Sequence, residues 1–276
     1  MCPLSCRLVQ KDVQTAGVPA NDGTGAPVSE ICVPLPPEKT GYMLIVLSAS
    51  LLPVAVLLLY IYRRDTFQKE PFRLLAKAFF FGILAAVLDT AVASLFNYLV
   101  PQPPVSPLND ALYTSLVLAA LPEELCKLVM LYLCIWKSPF FDEYFDGVEY
   151  CAFLGLGFAA IENVLYVLQG GLGLAVSRGL FAVPAHFFFA IFMGYFFSMA
   201  RFRYDKRKKY LLLAYFIPVI LHAIYDLILM YANNLASGDY YVESTAVDGF
   251  LSLVFIVFFF FVWRSAIARI NKISGR

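Results

Sequence analysis

The sequence predicts an all-α fold: a polytopic bundle of about seven transmembrane helices, N-terminus outside and C-terminus cytoplasmic. Three observations carry this. The 276 residues are 61% hydrophobic with a mean hydropathy of +0.72, where ordinary soluble domains are roughly 45–50% apolar. Seven apolar stretches each approach the ~20 residues that cross a bilayer as a helix. Lys and Arg segregate to alternate loops, which sets orientation.

The stretches are 42–62, 74–100, 110–136, 147–169, 177–200, 210–233 and 247–264. One set of loops holds Arg63, Arg64, Lys69 and Arg73, then Lys137, then RFRYDKRKK (201–209), then Arg264, Arg269, Lys272 and Arg276. The opposite loops, QPPVSPLN, GGLGLA and NNLASGDYYVESTAV, contain neither Lys nor Arg. Arg178 alone opens a helix on that side. The basic set is therefore expected in the cytoplasm. RFRYDKRKK reads as topogenic before it reads as a lipid-headgroup patch. Short loops make neighbouring helices antiparallel, and no internal repeat is evident.

Residues 1–41 are rich in Gly, Pro and small polar residues and lack the apolar core of a signal peptide. They are expected to form a disordered extracytoplasmic tail, and 42–276 one multi-span membrane domain. Net charge is +1, which gives no electrostatic basis for a nucleic-acid partner. The bilayer itself is the predicted surroundings, in the cell membrane. Cys126, Cys134 and Cys151 read as packing residues, and Cys2, Cys6 and Cys32 lie in the tail.

Eight ionisable residues fall well inside the apolar stretches: Asp89, Glu123, Glu124, Lys127, Glu162, His186, His222 and Asp226. They include both histidines of the chain. Such groups are expensive in a bilayer and point to function. At a 1.5 Å rise per residue, Glu123 lies roughly 20 Å below the outer end of its helix, His222 roughly 16 Å, His186 roughly 14 Å, and Glu162 and Asp226 roughly 10 Å. Polar groups from four helices thus meet at similar depth, which predicts one wet cavity leaning outward.

Local spacing agrees. In LPEELCKLVML (121–131), Glu123 and Glu124 stand i,i+4 and i,i+3 from Lys127 and share a helix flank. One carboxylate in such a pair is pulled toward its protonated form, which suits a division into acid and base. A structural buried ion pair is the alternative. In GLGFAAIENVLYV (155–167), small residues allow a close helix approach; Glu162 can orient a histidine or water, and Asn163 can hold a carbonyl or tie two helices. In LHAIYDLIL, Asp226 is i,i+4 from His222 and can fix its tautomer. His186 follows Pro184, which is expected to kink its helix. Asp89 has no partner by spacing and reads as packing or cavity lining.

EELCK (123–127) resembles the EExxK motif of the PrsW family of intramembrane proteases. FAAIEN resembles its FxxxEN motif, matched at Phe158, Glu162 and Asn163. His186 and the pair His222 and Asp226 fall where that family places its third and fourth motifs. DTFQKEPFRLLAKAFFFG (65–82) and YFDGVEYCAFLGLGFAAIEN are also similar to family segments. The likeness covers roughly 60–232 and leaves out the tail and the last span. It implies a protease of the superfamily that holds CAAX-processing and bacteriocin self-immunity enzymes. The implied substrate is a membrane-anchored protein, an anti-sigma factor or another regulated single-span protein. The superfamily also has a non-catalytic branch.

The favoured mechanism is a metal-independent glutamic peptidase with no cofactor. Glu123 or Glu124 activates water, His186 or His222 assists proton transfer or holds the oxyanion, Asn163 donates, and Lys127 tunes the carboxylates. A zinc ion on His186, His222 and Glu162 is the alternative. A non-catalytic scaffold or sensor of the same fold and a proton-coupled transporter are the competing functions.

Overall fold

The computed structural model describes residues 6–7, 33–34, 37–65, 68–236 and 245–274. Most of the predicted tail lies outside these. Within it, β1 (Cys6–Arg7) and β2 (Val33–Pro34) form a two-residue antiparallel pair. Among the described residues everything else of regular structure is helical: α1 (Pro37–Arg64), α2 (Phe72–Leu99), α3 (Pro107–Leu112), α4 (Leu121–Ile135), α5 (Tyr144–Leu180), α6 (Ala182–Phe202), α7 (Arg207–Ala236) and α8 (Thr245–Ile273). A π-helical stretch, Tyr113–Ala120, joins α3 to α4.

Among the described residues, six helical runs are long and apolar enough to cross a membrane. The third predicted stretch, 110–136, is not among them, although the chain is helical from Pro107 to Ile135. Glu123, Glu124 and Lys127 charge its middle, so it depends on its neighbours rather than on lipid. Ser106 starts this run by accepting the amide N–H of Asn109 at 3.1 Å, with Pro107 in the first turn, where its missing N–H costs nothing.

The inner layer is α5 with α6. In the windows that qualify as spans, 67% of Tyr144–Leu168 and 72% of Gly170–Phe202 are buried, against 11–28% in the other four runs. Helices α1, α2, α7 and α8 surround this pair and turn exposed apolar side chains outward, among them Phe80, Val87, Leu212, Phe216 and Phe260. The chain is a multi-pass membrane protein.

Three local features place the site. First, α5 and α2 cross with their backbones in contact: a Cβ on Gly157 would run into the Phe79 carbonyl, and one on Gly82 into that of Leu154. This is the close approach expected of the small residues before Glu162. Second, GGLGLA is no free loop. The chain turns at Gly171, whose φ of +70° is open to glycine at little cost, and helix resumes on both sides. Third, the predicted span 177–200 breaks at Phe181 (φ −122°, ψ −54°). Pro184, lacking an N–H for the preceding turn, accounts for the break, and α6 resumes when Ala185 N–H reaches the Phe181 carbonyl at 2.9 Å.

Candidate active site

Pro122 opens α4 directly after the π-helical stretch. π-helical turns are rare and concentrate at functional sites. Here the irregular backbone is fastened by α7, since the Tyr215 hydroxyl donates to the Leu121 carbonyl at 3.0 Å. The next two residues are Glu123 and Glu124.

Lys127 is the hub. Its buried ammonium lies 2.8 Å from Glu124 Oε1, 3.1 Å from Glu123 Oε2 and 3.1 Å from His186 Nδ1. It also sits 4.1 Å above the Phe158 ring, a cation–π contact in a desolvated place. Phe158, matched in sequence only as a motif letter, is the floor beneath this cation.

Each histidine is held by carboxylates. His186 Nε2 is 2.7 Å from Glu162 Oε2. His222 Nδ1 is 3.0 Å from Glu124 Oε1, and its Nε2 is 3.3 Å from Asp226 Oδ2 and 4.0 Å from Glu123 Oε2. The two rings stand edge to face with centroids 5.3 Å apart. Phe189 stacks on His222 at 5.1 Å. The i,i+4 pairing of His222 with Asp226 and the flank shared by Glu123, Glu124 and Lys127 are both present as the spacing predicted.

Several of these groups line a cavity of about 770 Å³. Glu123, Glu162, His186, His222 and Asp226 all contribute to its wall. The matching depths therefore correspond to a single space. Glu124 does not line it: the side chain is fully buried. The wall also includes Leu174, Ser177 and Arg178 of α5, Asn234 of α7, and Leu251 and Phe255 of α8. The cavity thus opens beside the loops that lack Lys and Arg.

For Asn163 the structure shows the second of its two sequence readings, a tie between helices. The Asn163 amide donates to the Ser50 carbonyl at 2.8 Å, and its oxygen accepts from Arg178 Nε at 3.1 Å. Both ends are engaged within the protein, tying α5 to α1. Arg178, read only as a helix start, also ion-pairs with Glu162 at 3.0 Å and stacks 4.0 Å over Tyr166. The pair spans the turn at Gly171, so no helical spacing could reveal it; its one signal is that Arg178 is a cation at a helix start beside loops that hold no other Lys or Arg. Asp89 is half-buried with one carboxylate oxygen lacking a partner; Lys127, Glu162 and His222 are among the charges acting on it.

The donor set fits a metal as well. Glu123, His186 and His222 offer ligand atoms within 4.8 Å of one another. Two imidazoles with one carboxylate is a hydrolytic zinc set; His186 has one nitrogen on a carboxylate and His222 has both, and a carboxylate on the second nitrogen is what orients metal-bound histidines. The carboxylate in this set is Glu123, where the sequence had named Glu162; Glu162 instead bridges His186 and Arg178.

Fold and site together define a class: a polytopic membrane enzyme with a buried Glu–Lys–His centre beside a cavity. A family model described as PrsW family intramembrane metalloprotease matches residues 70–263. The chain is 31% identical over 234 residues to Protease PrsW of Geobacillus kaustophilus, covering 84% of this chain and 94% of that protein. It is 36% identical over 191 residues to that of Oceanobacillus iheyensis, covering 68% and 84%. To that of Bacillus subtilis it is 32% identical over 193 residues, covering 70% and 86%. No solved structure matches. The chain belongs to the PrsW family of intramembrane proteases. The match takes in most of α8, which the likeness read from motifs had left out.

Proposed function

We propose that this chain hydrolyses a peptide bond in a membrane-anchored protein, using water activated by Glu123. One observation carries the reading: Glu123 is the member of the carboxylate pair that lines the cavity, while Glu124 lies sealed beneath it against Lys127 and His222. Peptide hydrolysis needs a base for the attacking water, a donor for the developing oxyanion and an acid for the leaving amine. Glu123 takes the proton. Lys127 bridges Glu123 and Glu124 and offsets the negative charge of the pair. His186 and His222, turned by Glu162 and Glu124, face the reacting carbonyl and return the proton to the amine. Asn163 and Arg178 hold Glu162 in place. The substrate class implied by the family likeness is a regulated single-span protein of the anti-sigma-factor kind.

A metal-assisted version rests on the donor set and on the family description. Glu123, His186 and His222 would hold a zinc ion, which when bound would polarise the scissile carbonyl and acidify a water. The orientation we propose puts the cavity mouth on the outer face, supported by its position beside the loops without Lys and Arg.

Purified protein reconstituted with a single-span substrate tests this. Wild type is expected to cleave, and Glu123→Gln to lose at least about a hundredfold in rate with unchanged melting. Metal content and strong chelation separate the two versions: metal-free activity that survives chelation rules out zinc. A folded wild type inactive on every single-span substrate, with or without added zinc, overturns the proposal.

A further inference from the structure

A second carboxylate cluster lies at the other end of α5, with Asp146 about 24 Å along the helix from Glu162. The α1–α2 connection supplies Asp65 and Glu70; the segment before α5 and its first turns supply Asp142, Asp146 and Glu149. Asp146 Oδ2 accepts the amide N–H groups of Asp142 (3.0 Å) and Glu143 (2.6 Å), folding the turn so that its carboxylates converge. The Tyr150 hydroxyl donates to Glu70 Oε2.

Carboxylate oxygens of Glu70, Asp142 and Asp146 lie within 4.8 Å of one another. Oxygens shared by one Ca²⁺ at 2.3–2.6 Å are at most about 5 Å apart. The decisive observation is Glu149: it is wholly buried and neither of its oxygens has a hydrogen-bond partner. Asp65, Glu70 and Asp146 are the main negative charges acting on it. Asp65, itself buried, leaves Oδ2 unpartnered too.

Among the described residues no cation is ion-paired with this cluster, although the charge of Lys69 acts on Glu149. Lys69, the nearest candidate in sequence, donates to the carbonyls of Tyr62 and Asp65 and packs over the Tyr62 ring. Among the described residues, none of these carboxylates ion-pairs with a Lys or Arg. Buried charges are normally paired or coordinate a metal. The donors are all oxygen, which suits a hard cation rather than zinc. Asp142 is exposed and gives an ion a way in.

We propose that Glu70, Asp142 and Asp146, backed by Glu149 and Asp65, form a non-catalytic site for a hard divalent cation, Ca²⁺ or Mg²⁺. The ion would clamp the α1–α2 connection to the start of α5, the helix that carries Glu162.

The test uses the full chain in detergent, stripped with EDTA and titrated with Tb³⁺ under tyrosine excitation; Tyr150 is the built-in sensitiser. Saturable emission, displaced by millimolar Ca²⁺ or Mg²⁺, is expected in wild type and equally in Glu123→Gln/His222→Ala, which disables the central donor set. Asp142→Asn, at an exposed position, and Glu149→Gln should each weaken Tb³⁺ binding at least tenfold. Saturating Ca²⁺ or Mg²⁺ should raise the melting temperature of wild type by about 5 °C. No sensitised emission in wild type overturns the proposal. So does emission lost in the central variant but unchanged in Asp142→Asn.

Discussion

Lys127 concentrates the chemistry of the centre in one side chain. Glu124 is fully buried and Glu123 nearly so, and their shared cation is Lys127. Removing one partner of a buried ion pair costs about 3–5 kcal/mol, because the remaining charge is stranded. Lys127→Met is therefore expected to lower the melting temperature in detergent and abolish cleavage. The double variant Lys127→Met/Glu124→Gln should recover stability without recovering activity. Phe158→Leu removes the ring under the ammonium and keeps most of the volume. Its loss should cost about 2 kcal/mol of the cation's placement, read as a lower melting temperature together with a drop in cleavage rate.

At the scale of elements, the α5–α2 crossing fixes where Glu162 stands relative to α4. Gly157→Ala forces a Cβ onto the Phe79 carbonyl, and overpacking of this kind costs about 1–3 kcal/mol. Gly173 has open space where its Cβ would be, so Gly173→Ala is the matched control and should be neutral or mildly stabilising in the same melting assay. Much of this was legible in the chain. The similar depth of Glu123, Glu162, His186, His222 and Asp226 rests only on helical rise and loop charge, and all five line one cavity. What escaped is what local periodicity cannot carry. The π-helical stretch before Pro122 has no compositional mark. The Arg178–Glu162 pair closes across a turn at Gly171, and Asn163 is claimed by Ser50, 113 residues away. In 65–82 and 144–163 likeness to a family is visible, but the convergence of carboxylates near their starts depends on two separate chain segments meeting.

For the whole molecule, the inner pair α5–α6 is a scaffold on which α4 and α7 present charge, while the outer helices meet lipid. The orientation inferred from loop charge gives a direct expectation. With other cysteines replaced, Gln102→Cys should react with a membrane-impermeant thiol reagent on intact cells, and Lys208→Cys only after permeabilisation. The reverse pattern would place the cavity mouth in the cytoplasm. The most direct check of the central claim is mass spectrometry of the fragments that wild type and Glu123→Gln release from one reconstituted single-span substrate. The account predicts a wild-type cut in the half of the substrate span next to the cavity mouth, and none from Glu123→Gln. Fragments of the same mass and yield from Glu123→Gln would contradict it.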